Sequence, residues 1–166
     1  MRLPAGWTAA AWVVGVAAAD QWSKQLVREN LALHEAREVI PGFFNLVHIE
    51  NTGVAFGLFA GLAAPLRHVF FLAVALAAVV ILFFAFRHFV TQGRVFAHAL
   101  GLIGGGAVGN LVDRVRLGAV TDFLDLYVKG FHWPAFNLAD SAITVGVALF
   151  LVGGLVGKEH RPPRPS

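Results

Sequence analysis

Residues 104–140 read GGGAVGNLVDRVRLGAVTDFLDLYVKGFHWPAFNLAD. The run lies between two strongly apolar segments and holds four of the chain's ten acidic residues: Asp113, Asp122, Asp125 and Asp140. Asn110, Arg114 and Asn137 lie among them. A carboxylate beside a membrane-length apolar run is costly to place, so each of the four asks for a partner or a chemical task.

The wider composition sets the solvent. Of 166 residues, 57% are hydrophobic and 14% are charged, against about a quarter charged in a soluble domain. This is the balance of an integral membrane protein, and the length suits a single domain over residues 1–166. The net charge of +3 is spread along the chain without a basic face, so a nucleic-acid partner is not indicated. Several Lys and Arg stand at the ends of apolar runs, where they anchor helices at the membrane surface. With no cysteine in the chain, disulfides, thiol catalysis and Cys-metal sites are excluded.

Working outward, a helix spans about 95–112. Its Gly101, Gly105 and Gly109 recur every four residues and so line one face, a surface that lets a second helix approach closely. His98 has no second ligand at i+3 or i+4, which makes a metal role weak. A further helix runs from about 136 to 156. It carries Asn137 and Asp140 at i, i+3, with Pro134 suited to its start. Upstream, residues 66–86 form an apolar span flanked by Arg67-His68 and Arg87-His88. The first span is about 7–27. There Asp20 and Lys24, at i, i+4, can pair on one face, a salt bridge that supports structure. A cleaved secretory signal with Ala17-Ala18-Ala19 as its cleavage site is the alternative, but apolar character resumes past Asp20. Residues 29–64 are polar and turn-rich. Phe43–Ile49 and Val54–Phe59 read as two strands around Asn51-Thr52-Gly53, a small sheet over about 40–60 with phenylalanines toward lipid. Residues 158–166 are basic and Pro-rich, a disordered end.

Four spans place both termini on one side of the membrane. Arg2, Arg87, Arg94, Lys158, Arg161 and Arg164 concentrate on that side, which the positive-inside rule assigns to the cytoplasm. The expected fold is a membrane all-α bundle of four transmembrane helices with a small extracytoplasmic β-sheet. Asp20, Asn51, Asn110, Asp122, Asn137 and Asp140 then gather at its outer end.

The connection from Leu126 to Leu138 can fold back and bring Asp122 and Asp140 face to face. Two carboxylates in a low-dielectric site do not both ionise cheaply, so one holds a proton. Such a pair can activate water as base and protonate a carbonyl or leaving amine as acid. Ser23 and Ser141 have no His at a suggestive spacing. Asn110 and Arg114, at i, i+4, can bind a substrate carbonyl or phosphate, though Arg at a helix end also snorkels or pairs with an acid. Asp113 and Asp125 are the expected structural partners of Arg114. Spacing leaves two other readings open: a proton relay in a transporter, for which no inverted repeat is visible, and a structural subunit glued by Asp–Arg pairs.

Four blocks carry a resemblance. They are Asp20-Gln21-Trp22-Ser23-Lys24; Asn51-Thr52-Gly53-Val54-Ala55-Phe56-Gly57; Gly109-Asn110-Leu111-Val112-Asp113-Arg114 with Gly118 through Asp122-Phe123; and Phe136-Asn137-Leu138-Ala139-Asp140-Ser141-Ala142-Ile143. In this order, over nearly the whole chain, they resemble the lipoprotein signal peptidases (signal peptidase II), bacterial intramembrane aspartyl proteases. Val54, where the family pattern has Ala, is the one small departure. The resemblance implies Asp122 and Asp140 as catalytic pair, with Asn51, Asn110, Arg114 and Asn137 shaping the substrate site. Asp20 and Lys24 become its structural support. It implies a bacterial inner-membrane enzyme without cofactor or metal, whose substrates are prolipoproteins carrying diacylglyceryl-cysteine, cut just before that residue. Membrane lipids and cyclic peptide antibiotics of the globomycin type are the other implied partners.

Overall fold

The computed structural model describes residues 4–53 and 63–159. Four helices and a small sheet alternate along the chain: α1 (Ala5–Asn30), β1 (Ala36–Ile40), β2 (Phe44–Asn51), α2 (Ala64–Phe89), α3 (Arg94–Leu117), β3 (Val120–Val128), β4 (Phe131–His132) and α4 (Leu138–Glu159). Three helices are long and apolar enough to cross a membrane, at Pro65–Phe89, Arg94–Leu117 and Leu138–Leu155. Helix α1 is as long as α2, with 26 residues, but Asp20, Lys24 and Arg28 interrupt its apolar character.

Helix α3 is the central element, packed against the other three. Its glycine face takes α1. A Cβ on Gly101 would lie 2.6 Å from Trp12 Cβ, one on Gly105 2.6 Å from Val16 Cβ, and one on Gly109 2.5 Å from Asp20 Oδ2. The four-residue period on α3 thus meets Trp12, Val16 and Asp20, themselves four apart on α1. Lipid tails are as apolar as Leu, so close van der Waals contact must replace hydrophobic exclusion in holding the helices together. A second face of α3 takes α4, where a Cβ on Gly146 would sit 2.8 Å from Ala99 O. Val16, Leu102 and Ala142 from the three helices close the core between them. His98 lies in the α1–α3 seam, where the Trp12 Nε1–H donates to its Nδ1 at 2.7 Å.

The sheet differs from the expected hairpin. Its order is β1-β2-β3-β4, every pairing antiparallel. Strand β2 matches the predicted Phe43–Ile49 segment, but its neighbours are residues 36–40 and 120–128. The predicted Val54–Phe59 strand and its Phe56 and Phe59 lie outside the described residues. Strand β3 was not among the expected strands, although Val120-Thr121-Asp122-Phe123-Leu124-Asp125-Leu126-Tyr127-Val128 is rich in β-branched and aromatic residues. Its pairing with β2 runs from Phe44 opposite Leu126 to Asn51 opposite Val120. Gly118, at φ 76°, ends α3 in the left-handed conformation and turns the chain into β3.

Candidate active site

The last turn before α4 builds the site. The helix starts at Leu138, four residues after Pro134, so the proline does not open it as expected. Asn137 caps it. Its Oδ1 accepts the Asp140 N–H at 3.0 Å, and Asp140 Oδ2 accepts the Asn137 N–H at 3.3 Å. This is a reciprocal capping box with aspartate in the usual glutamate place. A further free N–H of the first turn, on Ala139, donates to Asp20 Oδ1 at 2.9 Å. Helix ends leave these donors without intrahelical partners, and here carboxylates from α1 and α4 meet that need.

Three asparagines present their amide N–H groups to the two carboxylates. Asn51 Nδ2 donates to Asp122 Oδ2 at 2.9 Å, Asn137 Nδ2 to Asp122 Oδ1 at 2.7 Å, and Asn110 Nδ2 to Asp140 Oδ1 at 2.8 Å. Each asparagine oxygen faces a group that can only donate. The Gly53 N–H reaches Asn51 Oδ1 at 2.8 Å, the Asp140 N–H reaches Asn137 Oδ1, and the Lys24 ammonium reaches Asn110 Oδ1 at 2.9 Å. The amide orientations are therefore fixed by chemistry, and each leaves an NH2 aimed at a carboxylate.

Asp122 sits on β3 and is 2% exposed. Burial pushes its carboxyl up to about 6, and the negative charge of Asp140 adds to the rise. Donation from Asn51 and Asn137 and the Lys24 charge pull the other way without cancelling it. Asp140 is partly exposed, so water reaches this end of the pair.

Behind the pair lies a buried ionic cluster. Lys24, fully buried, contacts Asp20 Oδ2 at 2.8 Å and Asp113 Oδ2 at 3.0 Å. Asp113 also accepts from Gln21 Nε2 at 2.9 Å and from the Thr121 N–H at 3.1 Å. Removing one partner of such a cluster leaves an uncompensated buried charge, at a cost of about 3–5 kcal/mol. The expected pairing of Arg114 with Asp113 and Asp125 does not form. Adjacent residues on a helix point about 100° apart, so Asp113 turns to α1 while Arg114 turns away. Asp125 instead accepts from Asn45 Nδ2 at 2.8 Å and meets His132 Nδ1 at 2.9 Å. Arg114 donates to Asn110 O at 3.2 Å and lies in the field of Asp140 and Asp122.

Two recesses flank the site, and the first reaches Asp122. One, of about 250 Å³, is lined by Ile49, Glu50, Asn51, Thr52, Asp122, Pro134 and Ala135. The other, of about 200 Å³, has Asn110 and Arg114 in an otherwise apolar wall of Phe71, Val74, Ala75, Ala78, Ala107 and Ile143. Phe43 and Trp133 line a separate hollow with Tyr127 and Phe131. Ser23 and Ser141 both donate to backbone oxygens of their own stretch, Asp20 O and Asn137 O. Sequence reasoning missed Gln21, Arg28 and Thr121. Arg28 Nη1 donates to Thr121 Oγ1 at 2.9 Å, and Gln21 and Thr121 carried a signal as members of the resemblance blocks, with no role assigned.

A helical bundle with a small sheet, in which Asn137 bonds both Asp122 and Asp140, defines a membrane protein with two asparagine-bound carboxylates. Known proteins narrow the class. Residues 12–156 match the family model described as signal peptidase (SPase) II, and the chain belongs to this family of proteases. It is 49% identical over 136 residues to the lipoprotein signal peptidase of Desulforapulum autotrophicum, covering 82% of this chain and 84% of that one. With the lipoprotein signal peptidase of Geobacter metallireducens it shares 49% identity over 147 residues, 89% of each chain. A bacterial membrane enzyme solved by the in meso method at 2.3 Å superposes with a TM-score of 0.80 at 30% identity, covering 96% of this chain and 94% of that one. A second, at 1.9 Å, gives a TM-score of 0.78 at 32% identity, covering 89% and 92%.

Proposed function

We propose that the chain removes the signal peptide from diacylglyceryl-modified prolipoproteins, cutting just before the lipidated cysteine, with Asp122 and Asp140 as the catalytic pair. The observation that carries this reading is Asn137, which donates its side-chain N–H to Asp122 while exchanging two bonds with Asp140. Burial keeps the proton on Asp122 at the start. The ionised Asp140 takes a proton from water as the water oxygen attacks the scissile carbonyl carbon. Asp122 gives its proton to the carbonyl oxygen. Collapse of the tetrahedral diol breaks the C–N bond as Asp140 passes its proton to the leaving amine and Asp122 takes one back from a diol hydroxyl, which restores the pair. Asn51, Asn110, Arg114 and Asn137 hold the substrate around the pair, and Asp20 and Lys24 support them. A lipid-bearing substrate must be met in the membrane, which fits apolar recesses beside the acids.

In this reading residues 1–166 form one membrane domain. All four helices cross the bacterial inner membrane, including α1, whose Asp20 and Lys24 face α3. Both termini lie in the cytoplasm and the sheet lies outside. Membrane lipids and cyclic peptide antibiotics of the globomycin type are further partners. The test is to purify Asp122→Asn and Asp140→Asn and present each with a diacylglyceryl-modified prolipoprotein. Each is expected to fold and to lose about a thousandfold in rate. Full cleavage by either overturns the pair. Equal cleavage of the unlipidated precursor by the unaltered protein overturns the substrate class.

A further inference from the structure

Lys24 is more than a counter-ion for Asp20. It is fully buried, and its ammonium has three donors and three oxygen partners: Asp20 Oδ2, Asp113 Oδ2 and Asn110 Oδ1. Only the third belongs to the wall of the site. An ammonium cannot accept a hydrogen bond, so the Asn110 atom it faces must be the carbonyl oxygen. That leaves the Asn110 NH2 on the opposite side, where it donates to Asp140 Oδ1 at 2.8 Å. Asn137 Nδ2 meets the same Asn110 oxygen at 3.3 Å, but its shorter bond is to Asp122 at 2.7 Å. Without the lysine, the Asn110 amide loses its charged donor and is held by Asp140 and the longer Asn137 contact. A flipped amide would place an oxygen against Asp140, oxygen to carboxylate.

We infer that Lys24 is a positioning residue for the reaction: through Asn110 it fixes which face of Asp140 is hydrogen-bonded and which stays open to water. The inference rests on the Asp122–Asp140 reading above. Each end of the chain of contacts has charged neighbours that any substitution will also affect. Around Lys24 these are Asp20 on α1, Asp113 on α3 with Arg28 4.0 Å from it, and Asp122 on β3. Around Asp140 they are Arg114 on α3 and Asp122 on β3.

The test uses the full chain and a diacylglyceryl-modified prolipoprotein. Lys24→Met removes the donor, whereas Lys24→Gln keeps a neutral one. Lys24→Met is expected to lower kcat at least tenfold with KM changed less than threefold. The alkaline limb of kcat/KM should move up by half a pH unit or more, and Lys24→Gln should recover at least threefold in kcat. In an Asn110→Ala background, Lys24→Met should change kcat less than twofold, because the link it acts through is already gone. A folded Lys24→Met with kcat within twofold of the unaltered protein and the same limb overturns the inference, as does an undiminished effect in the Asn110→Ala background. If Lys24→Met does not fold, the same readings are taken on Asp20→Asn/Lys24→Met, which removes one of the two carboxylates the lysine balances. Failure of the aspartate pair is distinguishable, because Asp122→Asn or Asp140→Asn would then still cleave.

Discussion

Asn137 and Asp140 exchange two hydrogen bonds, Asp140 N–H to Asn137 Oδ1 at 3.0 Å and Asn137 N–H to Asp140 Oδ2 at 3.3 Å. The cap that starts α4 and the mount that holds a site carboxylate are therefore the same contact. The Asn137 amide is left to donate to Asp122 at 2.7 Å.

These two duties separate by substitution. Asn137→Ser keeps a capping oxygen but loses the donor to Asp122, and Asn137→Ala loses both. Alanine is expected to cost about 1 kcal/mol more than serine through the lost cap. Both should lower kcat by tenfold or more, measured beside thermal unfolding in detergent. A serine variant with full activity would show that the Asp122 contact is dispensable.

The raised Asp122 value fixes the sign of two pH effects. In the free enzyme Asp122 loses its proton as pH rises through about 6, so kcat/KM should fall above that point. The limb of kcat should lie higher, because bound substrate removes more water. Asn51→Ala deletes a donor that favours the ionised form, so it should move the kcat/KM limb up. A limb that stays put would leave Asn51 without influence on the pair.

Stability follows the same proton. A carboxyl raised in the folded state contributes stability that is complete below its unfolded value of about 3.8 and is lost as pH rises through about 6. Unfolding midpoints are expected to be higher at pH 5 than at pH 7.5, with at most about 1.4 kcal/mol from this group over that interval. The pH dependence should shrink in Asp122→Asn. An equal dependence in both proteins would assign it to other groups.

Gly109→Ala should be damaging to both fold and site, since its Cβ would lie 2.5 Å from Asp20 Oδ2. Displacing that carboxylate disturbs the Lys24 cluster and the Ala139 N–H together. A loss of about 1–3 kcal/mol is expected, with activity reduced. Gly154→Ala is the comparison: nothing lies within 4 Å of its Cβ, so stability should hold or rise by up to about 1 kcal/mol. Equal behaviour of the two would contradict the close α1–α3 approach.

Orientation can be read with single cysteines, because the chain has none of its own. Thr91 lies in the turn between α2 and α3, and Lys129 in the turn between β3 and β4; both are exposed. In intact cells a membrane-impermeant maleimide is expected to label Lys129→Cys and spare Thr91→Cys. The reverse pattern would invert the proposed topology.

Much of this molecule is local and was legible without coordinates. Apolar length marked all four helices to within a few residues at their starts, and the four-residue glycine period marked a close-packing face. Local periodicity carries such features because they depend on neighbours within one or two turns. Local pattern did not carry the sheet order or the partners of the acids. Asp113 and Asp122 look alike in sequence. The first points to a buried lysine on α1 and the second to asparagines on β2 and before α4. The Asp20–Ala139 bond joins residues 119 apart, and Asn51 reaches Asp122 across 71. Sequence alone determined a helical membrane protein, its glycine seam and the set of costly polar residues. The tertiary structure decided which acids are tied into an ionic cluster and which two are brought to one asparagine, because that choice depends on how whole helices pack and on which backbone donors their ends leave free.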